Sequence, residues 1–179
     1  MIQVAFTGHR PPACGSYNGQ DRLGLAVKRA IREKLEVLRP DRVITGCALG
    51  VDQWAAVIAT DLGIPTIWAV PFVGFDARWP LESRAELRRI YKEALYRVPG
   101  TRHHIVCRPG YSAIKLQRRN EWMCDQLISK DDWLVAVHNG SCGGTENCIQ
   151  YYLRSGQTGL INLWPRVLDI LSQIKEGQP

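Results

Sequence analysis

The sequence predicts an α/β fold: one Rossmann-like domain with a doubly wound, mainly parallel sheet and helices on both faces. Three observations predict it. Short apolar runs alternate with amphipathic stretches of helical length along the whole chain. The runs are apolar almost throughout, as strands covered on both faces are. Glycine-bearing loops follow the strands: Gly8, Gly46 with Gly50, and Gly143 with Gly144. Right-handed crossovers gather such loops at the carboxyl edge of the sheet, where ligands of open α/β sheets lie.

Each element has its own warrant. Ile2 to Phe6 is a short apolar strand that runs into Thr7-Gly-His-Arg-Pro-Pro12. Asp21 is placed to cap a helix reaching about Leu38, where Leu23, Val27, Ala30, Ile31 and Leu38 recur at helical spacing and Pro40 follows. Val43 and Ile44 end a second strand, Thr45 to Gly50 form a turn, and Val51 to Leu62 read as a helix. Thr66 to Val70 is the third strand, Val73 to Pro80 a loop, and Leu81 to Arg97 a helix. A strand is expected at Ile105 to Cys107, a helix from Ile114 to Ser129, and a strand from Trp133 to Val137. The loop His138 to Thr145 precedes a helix from Glu146 to Ser155. A strand from Gly159 to Leu163, a helix from Val167 to Ile174 and a tail over 176–179 close the chain.

The length, 179 residues, suits a single domain spanning 1–179. A net charge of +6 is compatible with a phosphate-bearing ligand but demands none. The six cysteines form no C-x-x-C pair and no Cys/His cluster with zinc spacing, so no metal and no cofactor is expected. The N-terminus has no secretory pattern and no apolar run is long enough to span a bilayer, so a reduced, cytoplasmic protein is expected.

The chemistry sits at the strand ends. A strand, a glycine-bearing turn and a helix N-terminus leave backbone N–H groups free beside a partial positive charge, which suits phosphate. The pattern is neither a Walker loop nor G-x-G-x-x-G. Gly143, Gly144 and Thr145 add two glycines and a hydroxyl at a helix start. Arg10 offers a guanidinium for a phosphate or for a surface ion pair. His9 is an acid–base candidate or a structural histidine. Asp52 lies in a first helical turn, favoured there by the dipole or holding a ribose hydroxyl. Trp79 is an aromatic wall or a core residue, and Arg119 with Asn120 a polar cluster or a solvated helix face.

Four stretches resemble a known family: Thr7 to Pro11, Ile44 to Ala56, Gln117 to Met123 and Gly143 to Cys148. Together they resemble the YpsA-like branch of the SLOG superfamily, which includes the LOG phosphoribohydrolases and the Rossmann domain of DNA-processing protein A. The resemblance implies a modified Rossmann fold that binds nucleotides or nucleotide-derived ligands, and it implies no single reaction. It favours Arg119 and Asn120 as ligand-edge residues and a homo-oligomer, and it admits a phage defence or counter-defence setting. LOG enzymes carry Gly-Gly-x-Gly-Thr-x-x-Glu with a catalytic final Glu. Cys148 stands at that position here, and Glu146 is turned away by roughly 200° on a helix.

The leading expectation is therefore a sensor or sequestering protein for a nucleotide-derived small molecule, such as an ADP-ribose or NAD derivative or a cyclic nucleotide, with no catalytic residue. The expected ligand contacts are Gly8, His9, Arg10, Gly46, Gly50, Asp52, Trp79, Arg119, Asn120, Gly143, Gly144 and Thr145. The alternatives are a nucleotide N-glycosidic hydrolase using Glu146 or Asp52, and a single-stranded nucleic-acid binder. The last lacks the dense basic stripe interleaved with aromatics that such grooves use.

Overall fold

The computed structural model describes residues 1–174, so the predicted tail at 176–179 lies outside the described residues. Six strands and six helices alternate: β1 (Gln3–Gly8), α1 (Arg22–Leu38), β2 (Arg42–Thr45), α2 (Val51–Asp61), β3 (Thr66–Val70), α3 (Leu81–Arg97), β4 (Arg102–Ile105), α4 (Ala113–Asp125), β5 (Trp133–Val137), α5 (Gly144–Arg154), β6 (Leu160–Asn162) and α6 (Trp164–Gln173). The strands form one parallel sheet in the order β4-β3-β2-β1-β5-β6. The chain first winds one way, from β1 to β4, and then crosses back to β5. The order therefore reverses between β1 and β5, and beyond the carboxyl ends at such a reversal open α/β sheets form a crevice.

Alternation along the strands feeds two cores. Val4, Phe6, Val43, Val135 and Val137 face α1, α2 and α6. Ala5, Ile44, Ile67, Ala69, Leu134 and Ala136 face α4 and α5. A third cluster joins Trp68 and Cys47 to α3 through Leu87, Ile90 and Ala94. Asp21 does cap α1, with its Oδ1 accepting from the Gly24 N–H at 3.2 Å.

Several expected boundaries are corrected. The fourth strand is Arg102–Ile105, not Ile105 to Cys107. It is an exposed edge strand, so polar residues occupy it and an apolar-run criterion passes it by. Helix α4 stops at Asp125 rather than Ser129, and Leu127 packs into the core from the turn that follows. Helix α5 begins at Gly144, two residues before Glu146, because Gly143 supplies the N-cap. Helix α6 begins at Trp164, with Pro165 in its first turn, rather than at Val167. The last strand is only Leu160–Asn162.

Candidate functional site

Loops from three strand ends meet at the carboxyl edge. A cavity of about 410 Å³ is lined by Thr7, Gly8, His9 and Arg10 after β1, by Ala48 and Asp52 after β2, and by Gly144, Thr145 and Asn147 at the start of α5. Helix α4 closes one wall with Ala113, Leu116, Gln117, Arg119 and Asn120. A smaller lobe of about 120 Å³ adjoins it and shares Arg10, Ala48, Leu116 and Arg119. Gly46, Pro71, Phe75, Arg78, Trp79 and Tyr111 complete that lobe.

The start of α5 is built to leave donors free. Gly143 takes φ 150, a conformation that favours glycine, and gives no side-chain cap. The first intrahelical bond runs from the Asn147 N–H to the Gly143 carbonyl, so the N–H groups of the first turn have no helical partner. Thr145 is 7% exposed, and its hydroxyl makes no hydrogen bond among the described residues. Asn120 donates to the Gly144 carbonyl at 3.2 Å and so ties α4 to α5. Gly144 has an ordinary helical backbone, and a β-carbon there would meet nothing within 4 Å. No backbone strain therefore demands glycine at 144, and the space beside it is open.

The loop after β2 holds a buried ion pair. Asp52 is 6% exposed and Arg119 5%. Asp52 Oδ2 accepts from the Ala48 N–H at 3.2 Å and lies 3.5 Å from Arg119 Nη1. That separation is long for a charge-assisted bond. Burial pushes the Asp52 carboxyl above the usual carboxylate range, and Arg119, the Ala48 N–H and Arg10 oppose the shift. Arg119 Nε is buried and has no hydrogen-bond partner. The positive backbone angles in this loop belong to Cys47 (φ 66) and Gly50 (φ 86), not to Gly46. Gly46 is required for another reason: a β-carbon there would fall 1.9 Å from Arg119 Nη1. The glycine is the seat of the guanidinium.

Gly8 also makes room, since a β-carbon would lie 2.6 Å from the Val51 side chain and push α2 off β1. His9 stacks on His138 with ring centroids 5.5 Å apart, and its Nε2 accepts from the Asn139 N–H at 3.1 Å. Burial, then the charge of His138, lowers its pKa, and the bond from Asn139 opposes them.

Not every expected contact reaches the cavity. Gly50 caps α2 and packs against Cys14 Sγ and the His9 carbonyl, and Gly143 is exposed outside the lining. Trp79 lines only the smaller lobe. Glu146 turns to His138 Nε2 at 3.4 Å and accepts from Gln150, and Cys148 is fully buried with its Sγ 3.6 Å from Cys124 Sγ. The carboxylate in the cavity is Asp52. Arg78, Tyr111 and Asn147 were not anticipated. Asn147 lies within the Gly143 to Cys148 stretch and was within reach of a motif argument, whereas Arg78 and Tyr111 sit in loops without a motif.

Comparison with known proteins follows the same residues. The SPbeta prophage-derived protein YoqJ of Bacillus subtilis is 34% identical over 126 residues, 62% of this chain and 68% of that protein. A UPF0398 protein of Lactobacillus acidophilus is 27% identical over 164 residues, covering 85% and 83%. UPF0398 protein YpsA of Bacillus subtilis is 23% identical over 147 residues, covering 78% and 77%. The X-ray structure of DNA processing protein A from Streptococcus pneumoniae aligns with 93% of this chain and 60% of that one, at 18% identity and a TM-score of 0.45. The YpsA family model, that of the YspA SLOG family, matches residues 4–158, from β1 to the residues before β6, and so includes every strand-end loop described above. The chain belongs to the YspA SLOG family.

Proposed function

We propose that the protein binds a nucleotide or nucleotide-derived ligand at the carboxyl edge of its sheet and acts as a sensor or sequestering protein. One observation carries the reading. The first turn of α5, Thr145 with its unbonded hydroxyl, Arg10 without an ion pair among the described residues and the largely buried Arg119 all line one cavity. Buried donors without acceptors are costly, and an anion relieves them. The adjoining lobe with Trp79 and Tyr111 supports a planar group at the other end of the ligand. The prophage origin of YoqJ agrees with a phage setting for this chain.

Thermal shift against nucleoside mono- and diphosphates, ADP-ribose, NAD and cyclic nucleotides tests the reading. At least one compound should raise the melting temperature in proportion to occupancy. A flat response across the panel at saturating concentration would sink it. Mass spectrometry of small molecules carried through purification identifies the compound directly.

A second reading, N-glycosidic hydrolysis, is favoured by Asp52. It is a buried carboxyl with a raised pKa at the cavity wall, the setting of a general acid. Chromatography of each nucleotide after incubation separates the two: release of free base supports hydrolysis, and intact nucleotide supports binding alone.

A further inference from the structure

We infer that the cavity is built for a diphosphate, so that the ligand is of the nucleoside diphosphate class rather than a monophosphate. The inference rests on the nucleotide reading and adds a second phosphate position to it.

The positive groups stand in a row across the sheet. The first turn of α5 follows β5 and provides one anion position. Arg10 follows β1, the next strand over. Arg119 lies against Gly46 at the end of β2, one strand further. Tyr111 and Trp79, with Arg78, lie beyond the end of β3. The track from β5 to β3 crosses three inter-strand spacings, roughly 14 Å. Arg10 lines the same cavity as Gly144 and Thr145 at the first turn of α5, and it follows the strand next to β5.

Arg10 and Arg119 border both lobes, and neither is satisfied by protein. Arg119 has an unpartnered buried Nε and only the 3.5 Å contact with Asp52. Arg10 makes no ion pair among the described residues, although it stands near enough to Asp52 to oppose the rise that burial causes in that carboxyl's pKa. Arg78 likewise has no carboxylate partner among the described residues and lies over the Tyr111 ring, 4.2 Å from its centroid. The charged residues of the two lobes are Arg10, Arg78 and Arg119 against Asp52, an excess of two positive charges besides the α5 terminus.

One phosphate on α5 leaves the arginine fork of Arg10 without an acceptor. A second phosphate beside Arg10 gives that fork an acceptor, with guanidinium geometry matched to two oxygens, and adds the charge of Arg119 at the cavity wall. Asp52 fits this arrangement. Its Oδ2 is directed to Ala48 and Arg119, while its Oδ1 takes no hydrogen bond among the described residues and is left to receive a ribose hydroxyl. The aromatic lobe then takes the base.

Titration calorimetry of the whole chain, without divalent metal, tests this with inorganic pyrophosphate against orthophosphate and with ADP against AMP. The diphosphate member should bind at least about 10-fold tighter in each pair, since each charge-assisted hydrogen bond is worth that much or more. Arg10→Met should bring each pair to within about threefold, and Arg10→Lys, which keeps charge without the fork, should fall between. Equal affinity within each pair for the wild type overturns the inference. So does an Arg10→Met variant that weakens both members alike. If Arg10→Met does not fold by circular dichroism, Arg10→Lys carries the same comparison. Tight pyrophosphate with no nucleotide bound would remove the nucleotide reading and leave the diphosphate position. Tight AMP equal to ADP would do the reverse. Silence from all four compounds would remove both.

Discussion

Two cavities of this molecule invite comparison. The larger, about 700 Å³, lies between α1, α2 and α3 and is lined by Lys28, Arg29, Arg32, Trp54 and Arg89 among others. The smaller lies at the carboxyl edge of the sheet. In the larger one each of those cations already has a partner. Lys28 Nζ donates to the Asn18 carbonyl at 2.8 Å and sits over Trp54, Arg29 pairs with Glu33, Arg32 with Asp61, and Arg89 with Glu86 and Glu93. At the carboxyl edge Arg10 has no ion pair, Arg78 has the Tyr111 ring but no carboxylate, and Arg119 Nε and the Thr145 hydroxyl make no hydrogen bond, among the described residues. Volume and the state of the cations therefore rank the two cavities differently. The proposed site is the smaller one, where Arg10 and Arg78 lack carboxylate partners among the described residues and Arg119 has only the 3.5 Å contact with Asp52.

The largest effect that could break this contrast is on stability. Arg119→Met should cost up to about 3–5 kcal/mol, because it leaves Asp52 buried without its cation. Adding Asp52→Asn should recover part of the loss, which chemical denaturation of both variants would measure. In the larger cavity, Arg32→Met removes an exposed pair and should change stability by less than about 1 kcal/mol. Equal losses for Arg119→Met and Arg32→Met would erase the distinction.

The next effects are on affinity. For a nucleotide that raises the melting temperature of the wild type, Thr145→Val should weaken binding by about 1–3 kcal/mol, roughly five- to 150-fold, with stability nearly unchanged because Thr145 makes no capping bond. Gly144→Ala should leave the fold intact, since the β-carbon meets open space, and should lower affinity by filling that space. Wild-type calorimetry for both variants would detach the start of α5 from the site.

The smallest effect is a pH dependence. Folding holds the His9 pKa below its ordinary value of 6.5, so the folded state binds fewer protons than the unfolded one in this range. The stability tied to neutral His9 is present above that ordinary value and is lost as pH falls through the lower folded one. His9→Gln should therefore flatten the decline in melting temperature between about pH 7 and pH 5. An unchanged slope would assign the decline to other groups.

Much of this was legible in the sequence, for physical reasons. Buried parallel strands read as apolar runs, and helices as 3.6-residue periods, so the α/β order was accessible from Val4, Val43, Ile67 and Leu134 and their neighbours. β4 was misplaced because Arg102-His-His-Ile105 is an open edge that no apolar signal marks. Gly46 stands in the expected connection between β2 and α2, but its backbone angle does not require glycine. Its reason is a guanidinium from α4, some seventy positions along the chain, and local sequence carries no trace of that. Arg78 and Tyr111 meet only because the loops around β3 and β4 lie side by side, which is a property of strand order.

The seating of Arg119 on Gly46 also constrains how this chain can vary. Any side chain at position 46 collides with the guanidinium, and any shorter residue at position 119 leaves a void above the glycine and an unpaired Asp52. The two positions are therefore coupled: a side chain at 46 must displace the Arg119 guanidinium from its place beside Asp52. Saturation mutagenesis scored for folded protein should return Gly46 and Arg119 as individually intolerant. Rescued pairs should appear only where position 52 has lost its charge as well.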